Sequence, residues 1–198
     1  MFKTISALVA GMLFIATSYA AEDWDREMYQ VTASKGDFSV NYRDFSGVEN
    51  KHWQVNYKLT KDLNVSYRDA ENKGKTEKRT FAEYHLFKVG NITIAPRVEY
   101  RDIEGEKAFV RAMPRIKYKQ KLSDGVAIKV NISPRFVFGK EGKADGTWED
   151  IQTDAGVAFK LGKSLTVEPG IRYVVEGDRN DLGTKKNLFA TVRVGIKF

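Results

Sequence analysis

From Phe38 to the C terminus the chain alternates apolar and polar residues with a period of two. That is the repeat of a strand with one apolar face, and not the 3.6 of a helix. FSVNYR sets Phe38, Val40 and Tyr42 against Ser39, Asn41 and Arg43; WQVNYKL sets Trp53, Val55, Tyr57 and Leu59 against Gln54, Asn56 and Lys58. LNVSYR, ITIAPRVEYR, AFVRAMPRIKYK, VAIKVNISPRFVF, DAGVAFKL, SLTVEPGIRYVV and LFATVRVGIKF follow the same plan. RTFAEYHLFKV fits least well, with Thr80, Ala82, Tyr84 and Leu86 as its apolar side. The pattern predicts about ten strands, each near the roughly 9–11 residues that a tilted bilayer-crossing strand needs.

The connections alternate in length. LTKD, KVGN, LSDG and LGKS are tight, whereas FSGVEN, DAENKGKTEK, DIEGEK, GKEGKADGTWED and EGDRNDLGTKK are longer, polar and glycine-rich. This asymmetry predicts an all-β fold: a transmembrane antiparallel up-and-down β-barrel of about ten strands, twelve being the alternative, with short periplasmic turns and longer extracellular loops. Counted along such strands, Tyr42, Trp53, Tyr67, Tyr100, Phe136, Phe138 and Tyr173 fall in one outward band. Tyr57, Tyr118, Phe159 and Phe198 fall in another, as at the two interfaces of a membrane. NYRD at 41–44, SYRD at 66–69 and EYRD at 99–102 belong to the first band. In each, Tyr is expected at the interface, Arg in the lumen and Asp at the start of the loop. The terminal Phe198, closing an alternating strand, is expected to be read by the barrel-assembly machinery.

Residues 1–20, MFKTISALVAGMLFIATSYA, join a short cationic start, an apolar run and a small-x-small ending. They are expected to form a signal peptide cleaved after Ala20, with the protein delivered to the bacterial outer membrane. Residues 21–37 contain EMYQVTASKG, either an extra strand or a periplasmic or lumenal segment. Bacterial single-chain barrels have even strand counts; ten strands are therefore assigned to a barrel domain of residues 38–198.

The chain holds 33 Lys and Arg against 26 Asp and Glu. Alternation concentrates the excess on the inward side: Arg43, Lys58, Arg68, Arg97, Arg101, Arg111, Arg115, Lys117, Lys119, Lys129, Arg135, Lys160, Arg172, Arg193 and Lys197 face only Glu83, Glu99, Asp154 and Glu168. Such an imbalance needs water and anions in the interior, which predicts an anion-selective porin. The expected substrate pathway is a basic track of Arg97, Arg111, Arg115, Arg135, Arg172, Arg193, Lys117 and Lys129, with Glu83 and Asp154 as counter-acids that keep binding weak. Cross-strand counting puts Glu83, Arg97, Arg111, Arg135, Asp154, Arg172 and Arg193 in one row, the expected constriction. Pro96, Pro114, Pro134 and Pro169 fall inside strands, all on the outward register, where bulges or breaks in pairing would accommodate them.

The proline-bearing strands ITIAPRVEYRD, VRAMPRIKYK, ISPRFVFGK and LTVEPGIRY, with the ending ATVRVGIKF, resemble the oligogalacturonate-specific (KdgM-like) porin family over residues 38–198. The resemblance implies a small monomeric outer-membrane channel for passive uptake of acidic oligosaccharides. It carries over Arg97, Arg111, Arg115, Arg135 and Arg172 as track positions. Family members have twelve strands, one hairpin more than is counted here.

Other classes fare less well. His85 and Glu83 could form an acid–base pair on one strand, as in a barrel lipase or protease, but no nucleophile joins them. No catalytic residue is expected. A non-conducting structural or adhesion barrel predicts evenly paired interior charges. Cysteine is absent and no ligand cluster suggests a metal, so neither metal nor cofactor is expected. The cations alternate with apolar residues and form no exterior patch, which argues against nucleic acid. The expected partners are membrane lipid and small anionic solutes.

Overall fold

In the computed structural model, described over residues 27–46, 50–72, 74–176 and 186–198, the chain is all-β. The strands are β1 (Glu27–Lys35), β2 (Phe38–Phe45), β3 (Asn50–Lys58), β4 (Leu63–Asn72), β5 (Lys75–Tyr84), β6 (Phe87–Val89), β7 (Ile92–Ile94), β8 (Arg97–Ile103), β9 (Phe109–Met113), β10 (Ile116–Ser123), β11 (Val126–Phe138), β12 (Thr147–Leu161), β13 (Leu165–Glu176) and β14 (Lys186–Lys197). Eleven of them close a barrel in the order β11–β12–β13–β14–β1–β2–β3–β4–β5–β8–β9 and back to β11. β6, β7 and β10 continue β5, β8 and β9 towards the tight-turn end. The expected signal peptide, residues 1–20, lies outside the described residues.

All ten strands expected from residue 38 onward are present. The eleventh is β1, so of the two alternatives for residues 21–37 the structure shows a strand over Glu27–Lys35. The count is odd, and the seam that this forces is parallel: β1 runs beside β14 from Glu27↔Ala190 to Ser34↔Lys197, while each other pairing is antiparallel. Gly36 turns β1 into β2 with a positive φ of 58°, a conformation that glycine adopts without steric cost.

The outward face is apolar. Val31, Val55, Tyr67, Val98, Tyr100, Ile116, Ile132, Ile171 and Val192 are all exposed. Alternation drives this: each outward apolar residue has polar neighbours in sequence that must point inward. Tyr42 and Trp53 are direct cross-strand partners with ring centroids 4.7 Å apart. In the Tyr-Arg-Asp motifs Tyr points out and Arg in, but the Asp does not begin a loop. Asp44, Asp69 and Asp102 are still in β2, β4 and β8, on the same outward side as the tyrosine two residues earlier. Asp69, Lys78 and Asp102 are consecutive cross-strand partners, an alternating row of charge above the tyrosines.

The prolines split into two pairs. Pro96 and Pro114 sit in the gaps between β7 and β8 and between β9 and β10, whereas Pro134 and Pro169 stay within β11 and β13. Missing amide donors interrupt the ladder at the first two positions. A further irregularity lies between β5 and β6: pairing with the β7–β8 strand shifts by one residue across His85 and Leu86, from Glu83↔Arg97 to Phe87↔Ile94. Gly156 and Gly170 face each other across β12 and β13, so close that a Cβ on Gly170 would overlap the Ala155 carbonyl oxygen.

Candidate lumenal site

The interior is polar at its centre, and its charges fall into clusters. Near the loop end, Glu77 on β5 accepts two hydrogen bonds from Arg79, at 2.8 and 2.6 Å, and is paired with Arg101. Glu99 on β8 lies between Arg79, Arg101 and Arg111 at 3.5–3.7 Å. Arg111 also pairs with Glu149, which Lys140 reaches at 3.1 Å, and Arg135 pairs with Asp150. Phe109 is interleaved with these cations, its ring 5.3 Å from the Arg101 guanidinium and 4.8 Å from the Lys140 ammonium. Between them is a cavity of about 180 Å³, lined by Arg79, Arg101, Arg111, Arg135, Glu149, Asp150 and Glu176.

Towards the tight-turn end, Glu83 gathers Arg97 (2.9 Å), Arg115, Lys117 and His85 (3.3 Å) around one carboxylate. Across the lumen Asp154 accepts from Arg172 (2.8 Å), Arg193 (2.6 Å) and Gln152 (2.7 Å), and Glu168 binds the other end of Arg193 at 2.7 Å together with Lys129. The two clusters border a second cavity of about 330 Å³. Its lining carries Lys88, Arg115, Lys117, Lys119, Lys129 and Arg193 against Asp154 and Glu168.

All eight cations expected in the track point inward, and each touches a carboxylate. Two steps of the expected row are present, Glu83 opposite Arg97 and Asp154 opposite Arg172, but the row does not continue between or beyond them. Arg97 is opposite Met113 and Arg111 opposite Glu99. Arg135 is opposite Asp150 and Arg193 opposite Glu168. Six of the eight cations line the two cavities, Arg111 and Arg135 at the loop end and Arg115, Lys117, Lys129 and Arg193 at the other. The expected ratio of fifteen cations to four acids is also corrected, because Glu77, Glu149 and Asp150 are buried in the interior as well. A β-bulge in β12 places two of them. Arg135 pairs with Asp150 and the next residue, Phe136, with Trp148, so Glu149 is the extra residue and turns to the same side as Asp150.

Two interior arginines are built differently. Arg43 on β2 donates from Nε (2.9 Å) and Nη2 (2.6 Å) to the Gln30 side-chain oxygen, and Arg68 on β4 donates from the same two atoms, at 2.9 and 2.6 Å, to Gln54. Among the ten arginines in the described residues these two have no carboxylate partner, while Arg79, Arg97, Arg101, Arg111, Arg115, Arg135, Arg172 and Arg193 all do. Alternation places both inside without singling them out; the absence of any inward acid on β1–β4 is the signal that marks them. No family model and no curated protein matches the chain.

Proposed function

We propose that the protein is an outer-membrane channel for passive passage of small anionic solutes, with acidic oligosaccharides as the expected class. The observation that carries this reading is the cavity of about 330 Å³ at the tight-turn end, where six cations meet two acids. A water-filled mouth with that surplus concentrates anions and repels cations. The apolar outward face supports placement in a bilayer, since a closed barrel satisfies its backbone hydrogen bonds without solvent. In the same reading the tight turns face the periplasm.

A barrel hydrolase is the weaker alternative. His85 does lie 3.3 Å from Glu83, but that carboxylate is already held by Arg97, Arg115 and Lys117, which leaves it a poor proton acceptor. A second reading, a non-conducting barrel stiffened by its interior, is favoured by the pairing of all eight track cations with carboxylates. Planar bilayers separate the two. The purified protein is expected to give discrete conductance steps and, under a salt gradient, a reversal potential of the sign set by anions. Lys119→Glu together with Lys129→Glu is expected to weaken that preference. Equal permeability to both ions, or no conductance, overturns the channel reading.

A further inference from the structure

We propose that Arg43 and Arg68, with His52 between them, form a binding site for a carboxylate anion on the inner wall of β2–β4. The wall is defined by what it lacks. Inward positions of β1–β4 carry Gln30, Asn41, Asn50, Gln54, Asn56 and Asn64, whereas β5, β8, β12 and β13 carry inward acids. A guanidinium removed from water without a counter-charge is costly, and a neutral amide supplies only part of the compensation.

Both arginines are held in the same way. The glutamine oxygen occupies the Nε and Nη2 side of each fork, and an aromatic ring supports it: Phe81 lies 4.8 Å from the Arg68 guanidinium and Phe45 lies 5.9 Å from that of Arg43. What remains is the Nη1 end, fixed in orientation and without an acid. A planar carboxylate matches that fork, and preorganised donors lose little entropy on binding it. His52 is the direct cross-strand partner of Arg43 and, on β3, two residues from the Gln54 that holds Arg68. Its side chain is buried, 3% exposed as a residue, and its Nε2 has no partner. A buried unpaired ring nitrogen beside two guanidiniums that pair with no carboxylate would, as the Nε2–H tautomer, give an anion a third donor. Asn41, on the same wall, likewise has an unpartnered side-chain oxygen, available to a hydroxyl of the same ligand.

The choice of a carboxylate solute rests on the anion-channel reading, whereas the site's chemistry does not require conduction. The test uses glucuronate, with glucose as the uncharged control, on detergent-solubilised protein in low-chloride buffer at constant ionic strength. Glucuronate is expected to raise the thermal unfolding midpoint of the parent in a saturable way, and glucose is not. Arg43→Gln with Arg68→Gln is expected to weaken the apparent affinity at least tenfold. Gln30→Glu with Gln54→Glu keeps both arginines, gives each an internal carboxylate, and is expected to abolish the response while raising the midpoint without ligand. A parent that does not respond to glucuronate, or a Gln→Glu double variant that responds as the parent does, overturns the proposal. If glucuronate binding depends on these residues while bilayers show no anion preference, the site stands and the channel reading fails. Anion-selective currents with a glucuronate response independent of Arg43 and Arg68 mean the reverse: the channel stands and the site fails.

Discussion

Along β5–β14 every described interior arginine meets a carboxylate, whereas along β1–β4 the two arginines meet glutamines. The residue type is the same and the depth similar, so the difference lies in the neighbours. Where Glu83 or Asp154 is shared among several cations, the charges hold one another in a fixed network whose members cannot be removed singly without cost. Where Gln30 or Gln54 stands instead, orientation is fixed and charge is left over. One wall is built to stay as it is, and the other to accept something. This also separates the two functional readings: the paired wall by itself suits a closed structural barrel, and the unpaired wall does not.

Glu83→Gln gives the paired wall the chemistry of the other and is expected to have the greatest effect on stability. Removing this charge leaves Arg97, Arg115 and Lys117 without the carboxylate that they share. Breaking a buried pair by deleting one partner typically costs about 3–5 kcal/mol. Equilibrium urea unfolding in micelles, followed by tryptophan fluorescence, is expected to show a loss in that range. A loss below about 1 kcal/mol would mean that the network is hydrated and that the two walls differ little.

Gly170→Ala comes next and tests whether the acid-bearing wall depends on close strand approach. The added Cβ would overlap the Ala155 carbonyl oxygen and stand 2.9 Å from the Gly156 Cα, both backbone atoms that cannot swing away. Forcing β12 and β13 apart there also displaces Asp154 and Arg172, the next inward pair along the strands. Overpacking of this kind costs about 1–3 kcal/mol. The same unfolding measurement reads it, and a neutral outcome would show that the glycine pair is incidental to the Asp154 cluster.

How much of the barrel is legible in the sequence follows from where the alternation comes from. An apolar outward face forces a period of two, so the ten strands from Phe38 to Phe198 can be read directly, and with them the inward direction of the eight track cations. The signal fades where outward residues are also polar. β5 extends to Lys75 and β12 to Thr147, through segments that read as loops, and so Glu77, Glu149 and Asp150 escape an inward count. The bulge at Glu149 places two consecutive residues on one side, which no alternating count can produce. β1 is visible as Tyr29, Val31 and Ala33, but an expectation of even strand number leaves it outside, and its parallel pairing with β14 has no sequence marker. The expected row survives only at Glu83–Arg97 and Asp154–Arg172 for related reasons: cross-strand neighbours depend on register, and irregularities such as those at His85–Leu86 and in β12 defeat counting from turn to turn.

Lys61 and Asp62 form an ion pair that belongs to neither wall. Lys61 lies 3.9 Å from Asp62 in the turn between β3 and β4, with its side chain 90% exposed. Water screens such a pair, and holding a long side chain in one geometry costs about as much entropy as the attraction returns. Lys61→Ala is therefore expected to leave the urea midpoint unchanged within error, although it removes a charge just as Glu83→Gln does. If the two substitutions destabilised the barrel equally, burial would not be what sets the worth of an ion pair here. The distinction between paired and unpaired interior arginines would then lose its physical basis.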